Sequence, residues 1–339
     1  MLHKNEIVFL CENQRLTFTF FISTIFIFLL QPNTSFAQKD SLTFSETGVS
    51  LQAGFDSVYG TLVIPNHFTT GKTILIISGS GPTDRNGNSI LLPKKNDCFL
   101  KMAHQLSKQG IASLRFDKRG VGSSKKAMKK EEDLTIDTLI QDVANWIDYL
   151  KKDGRFQEIT VVGHSEGSLL GMIAAQNRAD KFISISGTGF PADQILRKQL
   201  ASAPGIRDSA LLQINVILDS LRKGYLVKKY PLYLMSLFRA SVQPYLISWF
   251  KYNPEKEIEK LKIPVLILQG DNDIQVTVED AQQLHQGNPK SKMVIVPNMT
   301  HTLRICTSKD RNENMKTYQD STMPLAEECI REMIGFIKQ

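Results

Sequence analysis

The chain has 339 residues, 42% of them hydrophobic and 22% charged, a globular composition with room for one large α/β domain or two smaller ones. The net charge is +7 and the isoelectric point about 9.1, yet the basic residues are scattered. Lys125-Lys126 and Lys129-Lys130 lie together, but Glu131-Glu132-Asp133 follow at once, without interleaved aromatics, so a solvated loop is expected and no nucleic-acid partner.

The first expected element is a processing signal. Lys4 and Arg15 make a weakly basic leader, and Leu16 to Leu30 is an unbroken run of apolar residues, Thr and Ser. That run, about 15 residues, suits a signal h-region and is short for a membrane span. Ser35-Phe36-Ala37 puts small residues where a signal peptidase reads. Residues 1–37 are therefore expected to leave, with an uncleaved anchor as the rival reading. The mature chain from Gln38 is expected to be exported, periplasmic or secreted, with no stable membrane span. Cys98, Cys306 and Cys329 would remain. No C-x-x-C pair exists, so no zinc site is expected. In an oxidising compartment, Cys306 and Cys329 could close a loop of about 23 residues. Three unpaired thiols are the alternative, because spacing does not define geometry.

Residues 41–64 alternate and read as an antiparallel opening of three short strands, Leu42 to Glu46, Val49 to Phe55 and Tyr59 to Pro65. Continuous apolar runs follow, as in strands buried on both faces: Thr73–Ile77, Ala112–Asp117, Ile159–Val162, Phe182–Ser186, Pro264–Leu268 and Met293–Val296. Helical patterns separate them at Asp97–Gln109, Ile136–Lys152, the stretch after Ser165 and Val278–His285, and Met323–Ile337 closes the chain. This alternation predicts an α/β fold with a mostly parallel, doubly wound sheet, its βα loops gathered at one edge. From about Thr188 to Glu259 no convincing strand pattern occurs. So long an excursion is no plain loop and is expected to be an inserted helical cap. The core would then comprise residues 38–187 and 260–339, with the cap at 188–259.

Gly163-His164-Ser165-Glu166-Gly167 matches G-x-S-x-G between a β-branched run and a helical stretch, the context of a nucleophile elbow. A serine nucleophile needs a base, and the base an orienting acid. His301 follows the last apolar run directly and is the expected base. Asp271 and Asp273 compete as the acid. Asp273 is favoured because it lies further into the loop, whereas Asp271, beside Gly270, could merely shape the turn. Backbone N–H groups must also meet a developing oxyanion. The Glu166 N–H is one, and the glycine-rich loop Ser78-Gly79-Ser80-Gly81-Pro82 offers the other, Ser80 ahead of Gly81.

These stretches resemble the bacterial α/β-hydrolases of the esterase and serine-aminopeptidase-like group. The matching runs are Ser78 to Asn88, Phe116 to Ser124, the elbow, Leu268 to Asp273 and the His301 loop, spanning most of the chain from Leu62 onward. The resemblance implies an α/β-hydrolase fold, Ser165 as nucleophile, Asp273 as acid, His301 as base, and Ser80 with Glu166 as oxyanion donors. It departs in the interval of about 20 residues between His301 and the last helix, and the cap carries no substrate assignment. The expectation is a serine hydrolase cleaving small-molecule carboxylic esters through an acyl-enzyme, with no metal or organic cofactor. A peptidase or amidase on the same triad is the alternative, and a non-catalytic binding protein of this fold is the reading from another class.

Overall fold

A computed structural model describes residues 43–201 and 206–339. The expected signal segment, with its apolar run at 16–30, lies outside the described residues. Among those described, no helix is long and apolar enough to cross a membrane.

The chain opens with a hairpin, β1 (Phe44–Ala53) and β2 (Asp56–Pro65). The two short strands expected before Phe55 are one, because pairing with β2 runs unbroken from Phe44↔Pro65 to Ala53↔Asp56. Gly54, at φ 82°, makes the turn. Then follow β3 (Lys72–Ile77), α1 (Cys98–Ser107), β4 (Ala112–Phe116), α2 (Ile136–Lys152), β5 (Glu158–His164), α3 (Glu166–Ala174) and β6 (Lys181–Ile185). Five helices come next: α4 (Ala192–Ala201), α5 (Asp208–Arg222), α6 (Met235–Phe238), α7 (Gln243–Trp249) and α8 (Pro254–Glu259). The chain ends with β7 (Val265–Gly270), α9 (Val278–Gly287), β8 (Lys292–Val296), α10 (Arg311–Lys316) and α11 (Glu327–Lys338).

The eight strands form one sheet in the order β1-β2-β4-β3-β5-β6-β7-β8. Pairing is antiparallel from β1 to β4 and parallel from β4 to β8. Strand alternation sorts the apolar side chains into two cores. Leu75, Ile77 and Val161 face one side, with Leu139, Trp146 and Ile147 of α2, Leu169 of α3 and Leu284 of α9. Ile74, Ile76 and Val162 face the other, with Phe99 and Met102 of α1 and Met333 and Ile337 of α11. Helices on both faces leave the carboxyl ends of the parallel strands open as one edge, where ligand sites of such sheets form.

The segment between β6 and β7 holds no strand among the described residues, and it has its own apolar cluster around Ile214, Leu218, Leu221, Phe238 and Leu246. It docks on the core through polar contacts. The Ile136 amide donates to Ser248 Oγ at 2.9 Å, and Arg239 and Ser241 bond Glu131. The last of its helices, α8, packs on α3 and α9, and its Ile258 lies in the main core.

The Cys306–Cys329 bridge weighed from the sequence does not form. All three cysteines among the described residues are free. Cys329 sits on the inner face of amphipathic α11, and burial pushes its thiol up to about 12. Cys306 is only half-buried, with Sγ 3.6 Å from the Ser308 carbonyl. We expect peptide mapping without reductant to find Cys98, Cys306 and Cys329 all alkylated after denaturation. A linked 306–329 peptide pair would contradict this.

Candidate active site

Ser165 sits between β5 and α3 at φ 56° and ψ −122°, a conformation costly for any residue bearing a Cβ. The turn is held by its surroundings. The Ser165 amide donates to the Ile185 carbonyl of β6 at 3.0 Å, and the Ser168 amide returns to the Ser165 carbonyl at 2.9 Å. Both flanking glycines are obligatory. A Cβ on Gly163 would lie 2.3 Å from the Gly167 carbonyl oxygen, and one on Gly167 would lie 2.5 Å from that of Ile77. The strand, turn and helix are thus pressed together without side chains between them.

Asp273 and His301 come from the loops after β7 and β8 and meet over this turn. His301 Nδ1 and Asp273 Oδ2 are 2.7 Å apart, and both groups are buried. The Gln275 and Val276 amides donate to Asp273 Oδ1 at 2.8 and 3.0 Å. Burial pushes the Asp273 carboxyl up, but the His301 ring and those amides outweigh it, and the net shift is down. Asp273 is therefore an ionised acceptor. The Nδ1 edge of the His301 ring faces this carboxylate, which leaves Nε2 as the opposite edge of the imidazole.

Asp271 does different work. Its Oδ1 accepts from the Asn298 amide at 2.6 Å and staples the β7 loop to the β8 loop. The His301 loop is braced further by the long interval before α11. Thr302 Oγ1 donates to the Thr317 carbonyl at 3.2 Å, and the Ala326 amide to the Leu303 carbonyl at 2.8 Å. No hydrogen bond joins Ser165 Oγ to His301. The two are linked through His164, whose Nε2 lies 2.8 Å from the His301 carbonyl oxygen. Apo sites often hold such nucleophile–base pairs beyond bonding distance.

The loop after β3 reaches the same place. The Gly79 backbone abuts Ser165, since a Cβ there would stand 3.0 Å from Ser165 Cβ. Neither the Ser80 nor the Glu166 amide has a backbone acceptor among the described residues. The site thus gathers a strained serine and an imidazole hydrogen-bonded to a buried carboxylate, with the loop after β3 beside them.

Comparison with known proteins identifies the family. The family model for serine aminopeptidase S33 matches residues 95–305, more than half of the chain. The chain belongs to the serine aminopeptidase S33 family. Esterase EstD of Thermotoga maritima is 23% identical over 274 residues, 78% of this chain. The chain spans 61% of the length of that relative. Among solved structures, Est1E from Butyrivibrio proteoclasticus with ferulic acid bound is 20% identical with a TM-score of 0.55, covering 85% of this chain and 98% of that one. The Pyrococcus furiosus esterase Pf2001 is 18% identical with a TM-score of 0.54, covering 88% and 93%. At such identities the likeness concerns the fold, which is that of the α/β-hydrolases.

Two features of this S33 family member escaped the sequence reading. His164 is one. Burial, then the neighbouring His301 charge, pushes its ring down to about 3, so it stays neutral and donates to the His301 carbonyl. The other is a buried charge cluster beneath the elbow. Lys118 Nζ lies 3.1 Å from Glu166 Oε1 and also donates to the Gly79 carbonyl. The Tyr245 hydroxyl of α7 donates to Glu166 Oε2. The Asp117-Lys118-Arg119 run was visible as a motif, but its partners lie 39 and 48 residues away.

His164 yields a stability prediction. Its folded value, about 3, lies below the ordinary 6.5, so the unfolded chain takes up a proton that the folded chain refuses. The stability this group contributes is full above about pH 6.5 and is lost as the pH falls from there toward 3. Denaturant titrations of wild type and His164→Gln between pH 4 and 6 should show the wild type losing about 1.4 kcal/mol more per pH unit. Parallel curves would contradict a neutral, buried His164.

Proposed function

We propose that the protein is a serine hydrolase that cleaves small-molecule carboxylic esters. The observation that carries this reading is the buried His301–Asp273 pair, 2.7 Å apart, lying against the strained turn at Ser165. In this reading Ser165 Oγ attacks the ester carbonyl while His301 Nε2 takes its proton. Asp273 holds the tautomer and steadies the imidazolium. The Ser80 and Glu166 amides receive the oxyanion of the tetrahedral intermediate. His301 then hands its proton to the departing alcohol, and water, activated by the same ring, releases the acid from the acyl-enzyme. Esterase EstD and the Pyrococcus furiosus Pf2001 protein, both named as esterases, support an ester as the substrate class.

The S33 family match favours a second reading, removal of an N-terminal amino acid by the same residues. Amines leave less readily than alcohols, so peptide cleavage demands better protonation of the leaving group. Initial rates on p-nitrophenyl acyl esters and on aminoacyl anilides separate the two. Turnover of the esters alone supports the first reading, and preferential turnover of anilides the second.

Ser165→Ala and His301→Ala should each lower kcat on p-nitrophenyl esters by about 10³-fold or more while the fold persists. Asp273→Asn should cost more than Asp271→Asn, because Asp273 orients the ring and Asp271 braces a loop. The reverse order would reassign the acid.

A further inference from the structure

We infer that Lys118 is a positioning residue for the oxyanion hole, acting by clamping the Gly79 carbonyl so that the Ser80 N–H is aimed into the site. The inference rests on the hydrolase reading above. The Gly79 carbonyl and the Ser80 N–H belong to one planar, trans unit, so they point in opposite directions and turn together. Whatever grips the carbonyl sets the direction of the N–H. Lys118 Nζ is that grip, donating to the Gly79 oxygen from within the protein.

The peptide stands where this matters. The Gly79 backbone is packed on Ser165 Cβ and on the His164 ring. The rest of the loop closes on itself: the Thr83 amide donates to the Gly81 carbonyl, Thr83 Oγ1 to the Ser80 carbonyl, and Ser78 Oγ to the Thr83 carbonyl. None of these bonds engages the Gly79–Ser80 peptide through the Gly79 oxygen. A flip of this peptide, eased on the Gly79 side by the missing Cβ, would turn its carbonyl toward the nucleophile. The clamp opposes that flip. A cationic donor on the carbonyl also draws electron density from the amide and strengthens the opposite N–H as a donor.

The clamp is itself anchored. Lys118 follows Asp117, whose amide donates to the Tyr59 carbonyl at 2.9 Å and whose carboxylate takes the Arg85 amide, Arg85 Nη2 and the Ser123 amide at 2.6 to 2.8 Å. Lys118 is 4% exposed, and a buried ammonium requires a counter-charge. Glu166 supplies it, and Tyr245 of the inserted helices occupies the other Glu166 oxygen. One carboxylate therefore ties the elbow, the oxyanion loop and the helical insertion together.

Steady-state kinetics on a p-nitrophenyl ester test the inference. Lys118→Met should lower kcat by about 10²-fold or more, the scale of a lost oxyanion donor, with KM changed by less than about threefold. Lys118→Arg, which keeps a cationic donor, should recover at least about tenfold of that loss. On a Glu166→Gln background, where no buried carboxylate is stranded, Lys118→Met should lower kcat by the same factor. A kcat within about threefold of its parent in either background, or a loss shared equally by KM, overturns the inference. So does a crystal structure of the wild-type fluorophosphonate adduct with the Ser80 amide beyond hydrogen-bond distance of the phosphoryl oxygen. Wild-type protein that neither labels nor turns over ester would instead remove the hydrolase reading. Active wild type with an unaffected Lys118→Met removes the positioning role alone.

Discussion

The positive φ at Ser165 is the constraint on which the rest of the architecture depends. A side-chain-bearing residue is held there because the glycines two positions away on either side carry no Cβ and are pressed against backbone. Gly163 lets β5 turn sharply into α3, and Gly167 lets α3 sit directly on the end of β3. That contact fixes the height of the loop after β3 relative to the serine. The parallel pairing of β5 with β6, of β6 with β7 and of β7 with β8 then sets where the Asp273 and His301 loops begin. A sheet edge, three loops and one strained turn are therefore a single rigid construction.

Charge is buried at this edge in pairs. Asp273 faces His301, Lys118 faces Glu166, Arg85 faces Asp117, and Arg119 grips Asp142 through two hydrogen bonds at 2.6 and 2.7 Å. An unpaired charge at such depth would be costly, so each pair ties its two segments together even where its net contribution to stability is small. Arg119 and Asp142 serve the scaffold, joining the loop after β4 to α2, and Arg119 reaches the Ala53 carbonyl at 2.9 Å. The polar ties of the helical insertion to Glu131, Ile136 and Glu166 belong to the same edge, which brings a segment of separate apolar core against the elbow.

Much of the fold was legible because the sheet centre is buried on both faces. Continuous apolar runs such as Thr73–Ile77 and Ile159–Val162 have few alternatives to a parallel strand, and Ile136–Lys152 shows its inward stripe in the sequence. The hairpin was harder. Gly48 looks like a break, but in an edge strand with a solvated face a glycine passes without interrupting the ladder. The cysteines were illegible for a related reason: spacing says nothing of which face a residue takes, and Cys329 turns inward while Cys306 bonds locally. Within the site, residues 165, 273 and 301 stand out because each follows a strand. The roles of His164, Lys118 and Tyr245 depend on contacts across 39 or more residues, and no local pattern encodes them.

The central claim is that the strained serine is a nucleophile activated by His301. Reaction of the folded protein with a fluorophosphonate, followed by intact mass and peptide mapping, tests it most directly. The account predicts one phosphonyl group per chain, carried by the peptide containing Ser165, and labelling that slows sharply in His301→Ala. Folded protein that stays unlabelled, or a label carried by another residue, would contradict it.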